Sequence, residues 1–231
     1  MSALALALPL AVAQPPPAAG APAAAPAAAP SAAPSVPFTT GKAASGEAKA
    51  ALCTACHGPN GNSVNGQWPS LAGQNAAYIE AQLRQFHNKT RVDPTGLMPQ
   101  QAAALSEQDI QDLAAYFSLQ TPVGLEAEPA YWQAGQKLYR SGDPVRQLPA
   151  CISCHGPIGR GVPSAGYPQL RAQHEEYVIA QLTQFAADTR YTRDGKGQST
   201  GGLDDSIMHT VASLLSPQEI RDLASYVQGM R

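Results

Sequence analysis

Cys53-Thr-Ala-Cys-His57 and, further along the chain, Cys151-Ile-Ser-Cys-His155 decide how this sequence is read. Together they hold all four of its cysteines. C-x-x-C followed directly by histidine is the attachment pattern of haem c. Two thiols at that spacing add to the vinyl groups of one porphyrin, and the adjacent imidazole reaches the iron. Three other chemistries use paired cysteines. A thioredoxin-like pair belongs in a βαβ setting, whereas the flanks here are helical in pattern and rich in Gly and Pro. Two pairs could share one zinc, but the gap between them is several times the usual spacing. Zinc also gives no reason for a histidine after each pair. A disulfide across two residues closes too small a loop to stabilise much.

Outward from these motifs the chain is written twice, and internal repeats set the architecture. Cys53 and His57 map to Cys151 and His155. One residue later in register, Trp68-Pro-Ser-Leu71 maps to Tyr167-Pro-Gln-Leu170. Gln74, Tyr78, Gln82-Leu83 and Phe86 then map to Gln173, Tyr177, Gln181-Leu182 and Phe185. The second copy carries an insertion around Tyr191 to Gly202, whose Gly-rich, polar character predicts a surface loop. Beyond it, Leu105-Ser106, Ile110, Asp112-Leu-Ala114 and Tyr116 map to Leu215-Ser216, Ile220, Asp222-Leu-Ala224 and Tyr226.

Each copy has the same helical plan. A first helix is expected near Ala44–Cys53 and Tyr131–Arg140, leading into the C-x-x-C-H motif. A Gly/Pro-rich loop follows, then a middle helix over Ala76–His87 and Glu175–Ala187. After a long loop comes a final helix over Glu107–Leu119 and Pro217–Gln228. Ser106 with Asp109, and Ser216-Pro217 with Glu219, are start signals of the capping-box kind. Tyr116 and Tyr226 lie in phase with Leu113 and Leu223 on the apolar faces. No stretch sustains strand alternation. The reading is therefore all-α: a domain over 41–120, a linker over 121–128 with its boundary at Gln120–Gly124, and a second domain over 129–231.

The ends differ in kind. Met1 to Ala13 reads as a secretory leader, with an apolar run over Leu4–Val12 and an A-x-A site at Ala11–Ala13. That run is too short to cross a bilayer. Residues 14–40 form an Ala/Pro-rich linker with too little to bury to repay its ordering. As extended polyproline it would reach roughly 70 Å, long enough to tether the globular part to a membrane surface. These features predict an exported, periplasmic protein. Formal charge is −2 over 231 residues, so no basic stripe points to nucleic acid. Aromatic residues are 6% of the chain, too few for a large apolar core in each domain. A covalently held porphyrin would supply much of what is missing.

An iron held by one histidine needs a ligand on its other side. Met98 and Met208 both lie between the middle and final helices, with Leu105-Ser106 and Leu215-Ser216 following at matching distances. A thioether there favours ferrous iron and raises the potential. A methionine between helices is often core filler, but the match between copies argues for a ligand. Pro99 is expected to stiffen the loop that holds Met98. His209, beside Met208, is the rival ligand in the second copy. His87 and His174 are expected at the surface or behind the ligands.

From Gly41 to Arg231 the chain resembles the dihaem cytochromes c4. The resemblance rests on Cys53, Cys56, His57 and Met98, and on Cys151, Cys154, His155 and Met208. It extends to Trp68-Pro-Ser-Leu-Ala-Gly-Gln74 and Tyr167-Pro-Gln-Leu-Arg-Ala-Gln173, and to Asp112–Phe117 and Leu223–Gly229. It implies two tandem mitochondrial-type (class I) cytochrome c domains, each wrapped around one covalently bound haem c. It further implies that the Pro69 and Pro168 carbonyls accept the Nδ1–H of His57 and His155. Trp68 and Tyr167 would lie near haem propionates, and the propionates would face across the domain boundary.

The expected function is a periplasmic electron shuttle from a quinol-oxidising complex to a terminal oxidase, with no small-molecule substrate and no catalytic residue. A second reading is a dedicated subunit of a terminal oxidase or of a flavoprotein sulfide dehydrogenase. A third is an enzyme, a dihaem peroxidase or thiosulfate dehydrogenase, which would need an open or displaceable ligand position at one iron.

Overall fold

The protein is described by a computed structural model over residues 36–230; the expected leader and most of the Ala/Pro linker lie outside these residues. The first copy contains α1 (Ala43–Lys49), α2 (Ala51–His57), α3 (Ala76–His87), α4 (Leu97–Ala103) and α5 (Glu107–Ser118). The second contains α6 (Trp132–Ser141), α7 (Ile152–His155), α8 (Glu175–Ala186), α9 (Gly202–Ala212) and α10 (Pro217–Gln228). Among the described residues there is no β-strand, only isolated bridges.

The caps anticipated for the final helices are present. Ser106 and Asp109 at α5, and Ser216 and Glu219 at α10, each exchange side-chain and backbone hydrogen bonds as a full capping box. The first N–H groups of a helix have no partner within it, and this arrangement satisfies two donors at each start. The first helix of the second copy runs over Trp132–Ser141, within a residue of the expected Tyr131–Arg140, whereas that of the first copy departs from expectation. It breaks at Ala50 into α1 and α2, and in the second copy α6 is separated from the four-residue α7 by a 3-10 turn at Pro144–Arg146.

The first and last helices of each copy cross almost backbone to backbone. At Gly46 a Cβ would stand 2.0 Å from the Asp112 carbonyl oxygen, and at Gly135 1.9 Å from that of Asp222. Only glycine permits this approach, which brings α1 onto α5 and α6 onto α10. Leu113, Tyr116 and Phe117 then pack with Ala50, Ile79 and the half-buried Cys53. Tyr139, Leu223, Tyr226, Val227 and Met230 form the matching cluster, with Cys151 against it. Both cores are small, and each reaches a motif cysteine.

The linker is pinned at both ends. The Asn62 side chain donates to the Thr121 carbonyl at 3.1 Å and accepts the Val123 N–H at 2.8 Å. Glu128 and Ser225 exchange hydrogen bonds at 2.8 and 3.1 Å.

The two copies meet about an approximate two-fold axis. Val92 N–H donates to the Arg190 carbonyl and Thr192 N–H to the Thr90 carbonyl, both at 2.8 Å, closing an antiparallel bridge between Arg91 and Tyr191. The insertion expected to be a surface loop is therefore split in character. Residues 192–198 are exposed, but Tyr191 at its start is buried at the domain boundary. The helical pattern of one copy carried no signal for a contact that exists only between copies.

Candidate functional site

The motif residues sit where a helix ends. Cys53, Cys56 and His57 lie on α2, and Cys151, Cys154 and His155 span the start and end of α7. All four cysteines are half-buried free thiols. Burial pushes the Cys53 thiol up, and the Cys151 thiol up to about 11. Redox-active dithiols need the opposite shift, so the thioredoxin reading loses its chemistry. Among the described residues no three of His, Cys, Asp and Glu gather as a metal site, which leaves the zinc reading without a ligand set.

Both histidines are buried and identically held. The His57 Nδ1 lies 2.8 Å from the Pro69 carbonyl oxygen, and the His155 Nδ1 lies 3.0 Å from that of Pro168. A carbonyl can only accept, so Nδ1 carries the proton and Nε2 keeps its lone pair. Burial holds both imidazoles below the usual histidine range, against the opposing pull of the carbonyl. The rings are thus neutral, fixed in one tautomer and offered through Nε2, the state required of a metal-binding histidine.

Met98 and Met208 are half-buried, but not on loops. Met98 is the second residue of α4, and its N–H donates to Asp93 Oδ2 at 2.8 Å. Met208 lies inside α9. These two short helices were not anticipated. Pro99 falls in the first turn of α4, where its missing N–H costs little, so it starts a helix rather than stiffening a loop.

His209, the rival ligand, sits with Nδ1 2.8 Å from the Phe185 carbonyl on α8. His87 makes the mirror contact, with Nδ1 3.0 Å from the Ala102 carbonyl on α4. Each fastens a middle helix to the methionine-bearing helix of its own domain. His174 is neither at the surface nor behind a ligand. It is buried at the domain boundary, with Nε2 2.8 Å from the Ser63 carbonyl of the other copy. Trp68 is half-buried beside Pro69, and the Tyr167 ring lies 6.4 Å from the His155 ring.

Whether a haem suits this framework is tested by what the protein leaves unsatisfied. On α8 no residue is fully buried, and Val178, Ile179 and Leu182 face only partial cover, as do Ile207, Met208 and Val211 on α9. At the boundary, Arg91 and Arg190 are 7% and 1% exposed. Arg91 reaches Gln82 (2.6 Å), Tyr177 (3.0 Å) and Gln181 (3.0 Å), while Arg190 reaches Tyr78 (3.1 Å) and Gln82 (3.2 Å). Each guanidinium also stacks over a phenylalanine of its own domain, Phe86 or Phe185. Neither has a carboxylate partner among the described residues. Arg91 Nε and Arg190 Nη1 have no hydrogen-bond partner among the described residues. A buried cation without a counter-charge costs several kcal/mol (order of magnitude). Haem c brings an apolar macrocycle and two carboxylates, so the donor set and the charge both fit it.

Arg91 and Arg190 were missed in the sequence, although the register that pairs Gln82 and Phe86 with Gln181 and Phe185 continues directly to them. The interface glutamines Gln74 and Gln173 were legible as repeat matches but carried no chemical signature.

The cytochrome c family matches residues 39–119 and 132–231. The chain is 42% identical over 196 residues to cytochrome c4 of Pseudomonas aeruginosa, covering 82% of this chain and 89% of that one. It is 33% identical over 189 residues to the thiosulfate dehydrogenase electron acceptor of Thiomonas intermedia, covering 80% and 81% of the two chains. Among solved structures it is similar to reduced recombinant cytochrome c4 from Pseudomonas stutzeri, with a TM-score of 0.73, 38% identity and coverage of 83% of this chain and all of that one. Two C-x-x-C-H motifs on matching helices, two buried neutral histidines and this similarity over both copies have one common explanation: the chain belongs to the cytochrome c4 family, the dihaem electron-transfer cytochromes built from two tandem cytochrome c domains.

Proposed function

We propose that this chain is a periplasmic carrier that takes electrons from a quinol-oxidising complex and delivers them to a terminal oxidase. In this reading His57 and Met98 ligate one iron, and His155 and Met208 the other. The bound haems supply the one-electron chemistry. The chain holds them through Cys53 and Cys56, and through Cys151 and Cys154. It fixes each imidazole through a proline carbonyl and presents a thioether from the short helix, α4 or α9, that precedes the final helix of each domain. Arg91 and Arg190 would neutralise propionate charge at the domain boundary, and Trp68 and Tyr167 would border the same groups. The observation that carries the reading is the duplication itself. Each copy offers a neutral histidine and a half-buried methionine, and no cysteine remains for other chemistry. With a histidine and a methionine on each iron, no position would be left there for a substrate.

Rapid mixing of the fully reduced protein with a purified terminal oxidase tests the reading. Reoxidation at a rate that rises linearly with oxidase concentration is expected; failure to reoxidise faster than in buffer overturns it. A second reading is favoured by the relatives described as thiosulfate dehydrogenase electron acceptors. There the same carrier would accept electrons from a dehydrogenase as its bound subunit. Purification from its native source separates the two. A free monomer supports the shuttle, and a stable complex with a dehydrogenase supports the subunit.

A further inference from the structure

The two domains hold each other by a reciprocal pair of amide clamps. Gln173 Oε1 accepts the Ser70 N–H at 2.9 Å, and its Nε2 donates to the Ser70 carbonyl at 3.0 Å. Across the axis, Gln74 Oε1 accepts the Gln169 N–H at 2.7 Å, and its Nε2 donates to the Gln169 carbonyl at 2.9 Å. Gln74, Gln169 and Gln173 are all buried.

The Ser70 N–H belongs to the same peptide group as the Pro69 carbonyl, the acceptor for His57. The Gln169 N–H likewise shares its peptide group with the Pro168 carbonyl, the acceptor for His155. Each axial histidine therefore begins a relay that ends in the opposite domain. One runs from His57 Nδ1–H to the Pro69 carbonyl and from the Ser70 N–H to Gln173 Oε1. The other runs from His155 Nδ1–H to the Pro168 carbonyl and from the Gln169 N–H to Gln74 Oε1. Hydrogen bonds in series polarise one another, more so where water is excluded. Accepting at the N–H end of a peptide makes its carbonyl a better acceptor. That draws the Nδ1 proton away from the ring and makes the imidazole a stronger donor, which favours ferric iron.

We infer that Gln74 and Gln173 are positioning residues that tune the iron of the other domain, Gln173 acting on the site of His57 and Gln74 on the site of His155. The inference rests on these histidines being axial ligands.

The test uses the full-length dihaem protein with Gln173→Met, Gln74→Met and, as an interface control, Asn75→Ala. The control removes an inter-domain bond from Asn75 to the Tyr167 carbonyl (2.6 Å) that lies outside both relays. Two readouts are taken: the potential of each haem, and the Nδ1–H proton resonance of each axial histidine in the ferrous state. Gln173→Met is expected to weaken the His57 Nδ1–H bond, seen as an upfield shift. It should also raise the potential of the first-domain haem by about fivefold in its equilibrium constant, roughly 40 mV at 59 mV per tenfold. The second-domain haem should stay nearly unchanged. Gln74→Met should do the converse, and Asn75→Ala should move neither histidine resonance. Shifts confined to the mutated residue's own domain, equal shifts at both haems, or the same shifts from Asn75→Ala overturn the inference. If wild-type protein shows no ring-current-shifted His57 and His155 ring protons, the ligand assignment itself fails. If those protons are present but unmoved in both glutamine variants, only the relay fails.

Discussion

Under the proposed ligation, the side chains on the two faces of each iron would govern the redox level of its domain. His57 and His155 are neutral because burial disfavours their charged form, and they are oriented because Pro69 and Pro168 leave Nδ1 one acceptor. In that ligation Met98 and Met208 would raise the potential, since a soft thioether stabilises the ferrous state. Met98→Ala and Met208→Ala should each lower one potential, by more than about 59 mV, which is tenfold in the equilibrium, and leave the other nearly unchanged. Redox titration followed by the methionine-to-ferric-iron charge-transfer band checks this. If both haems keep that band after either substitution, the ligands have been misassigned. At this scale the sequence was eloquent where chemistry is local. C-x-x-C-H names its own use, and the matched methionines point to ligands that the predicted substitutions test. It was silent on Arg91 and Arg190, and it misplaced His174. Their partners, such as Tyr78 for Arg190 and Ser63 for His174, are distant in sequence and become neighbours only when the domains dock.

Among the helices, the pairing of first with last is the contact the fold cannot do without. Final and middle helices were read to within a residue because their caps and apolar faces are encoded in short windows. The helices α4 and α9 were not, since a short segment with a proline or a glycine-flanked start looks like a loop until its neighbours support it. The two helix pairs also differ electrostatically. Asp112 is almost fully buried between α1 and α5 and accepts from the Lys42 N–H (2.8 Å), Lys49 Nζ (2.7 Å) and Gln108 Nε2 (2.9 Å). Burial alone would push its carboxyl up, but the Lys42 amide and Lys49 ammonium hold it below the usual range. Its counterpart Asp222 accepts from Gln218 and has no ion pair among the described residues. A carboxyl with a lowered folded value contributes stability above its unfolded value, about pH 4, and loses it as pH falls through the folded one. The first domain should therefore lose more stability than the second as pH falls below about 4. Lys49→Met should make it less stable at neutral pH and flatten that loss. Denaturant unfolding of the haem-loaded protein at about pH 7 and pH 3, followed by domain-specific NMR signals, reads both effects. Equal acid sensitivity in the two domains would contradict the assignment.

As a whole molecule, the chain is two duplicated domains joined by a boundary that each domain completes for the other. The two-fold arrangement crosses Arg91 with Tyr177 and Arg190 with Tyr78, and it seats each glutamine on the opposite backbone. Two buried cations on this boundary have no carboxylate partner among the described residues, and under the proposed reading haem propionates would supply the missing charge. That the chain holds two domains was plain from the repeat. How tightly they interlock was not, because residues that face another copy of the same pattern look like ordinary helix residues in either copy alone. Closure of both irons on both sides by protein is what the proposed ligation requires. Its most direct measurement is carbon monoxide binding to the dithionite-reduced native protein, with covalent haem quantified on the same sample. Two haems per chain and no rapid binding are predicted; one haem per chain, or fast stoichiometric uptake at either iron, would contradict it.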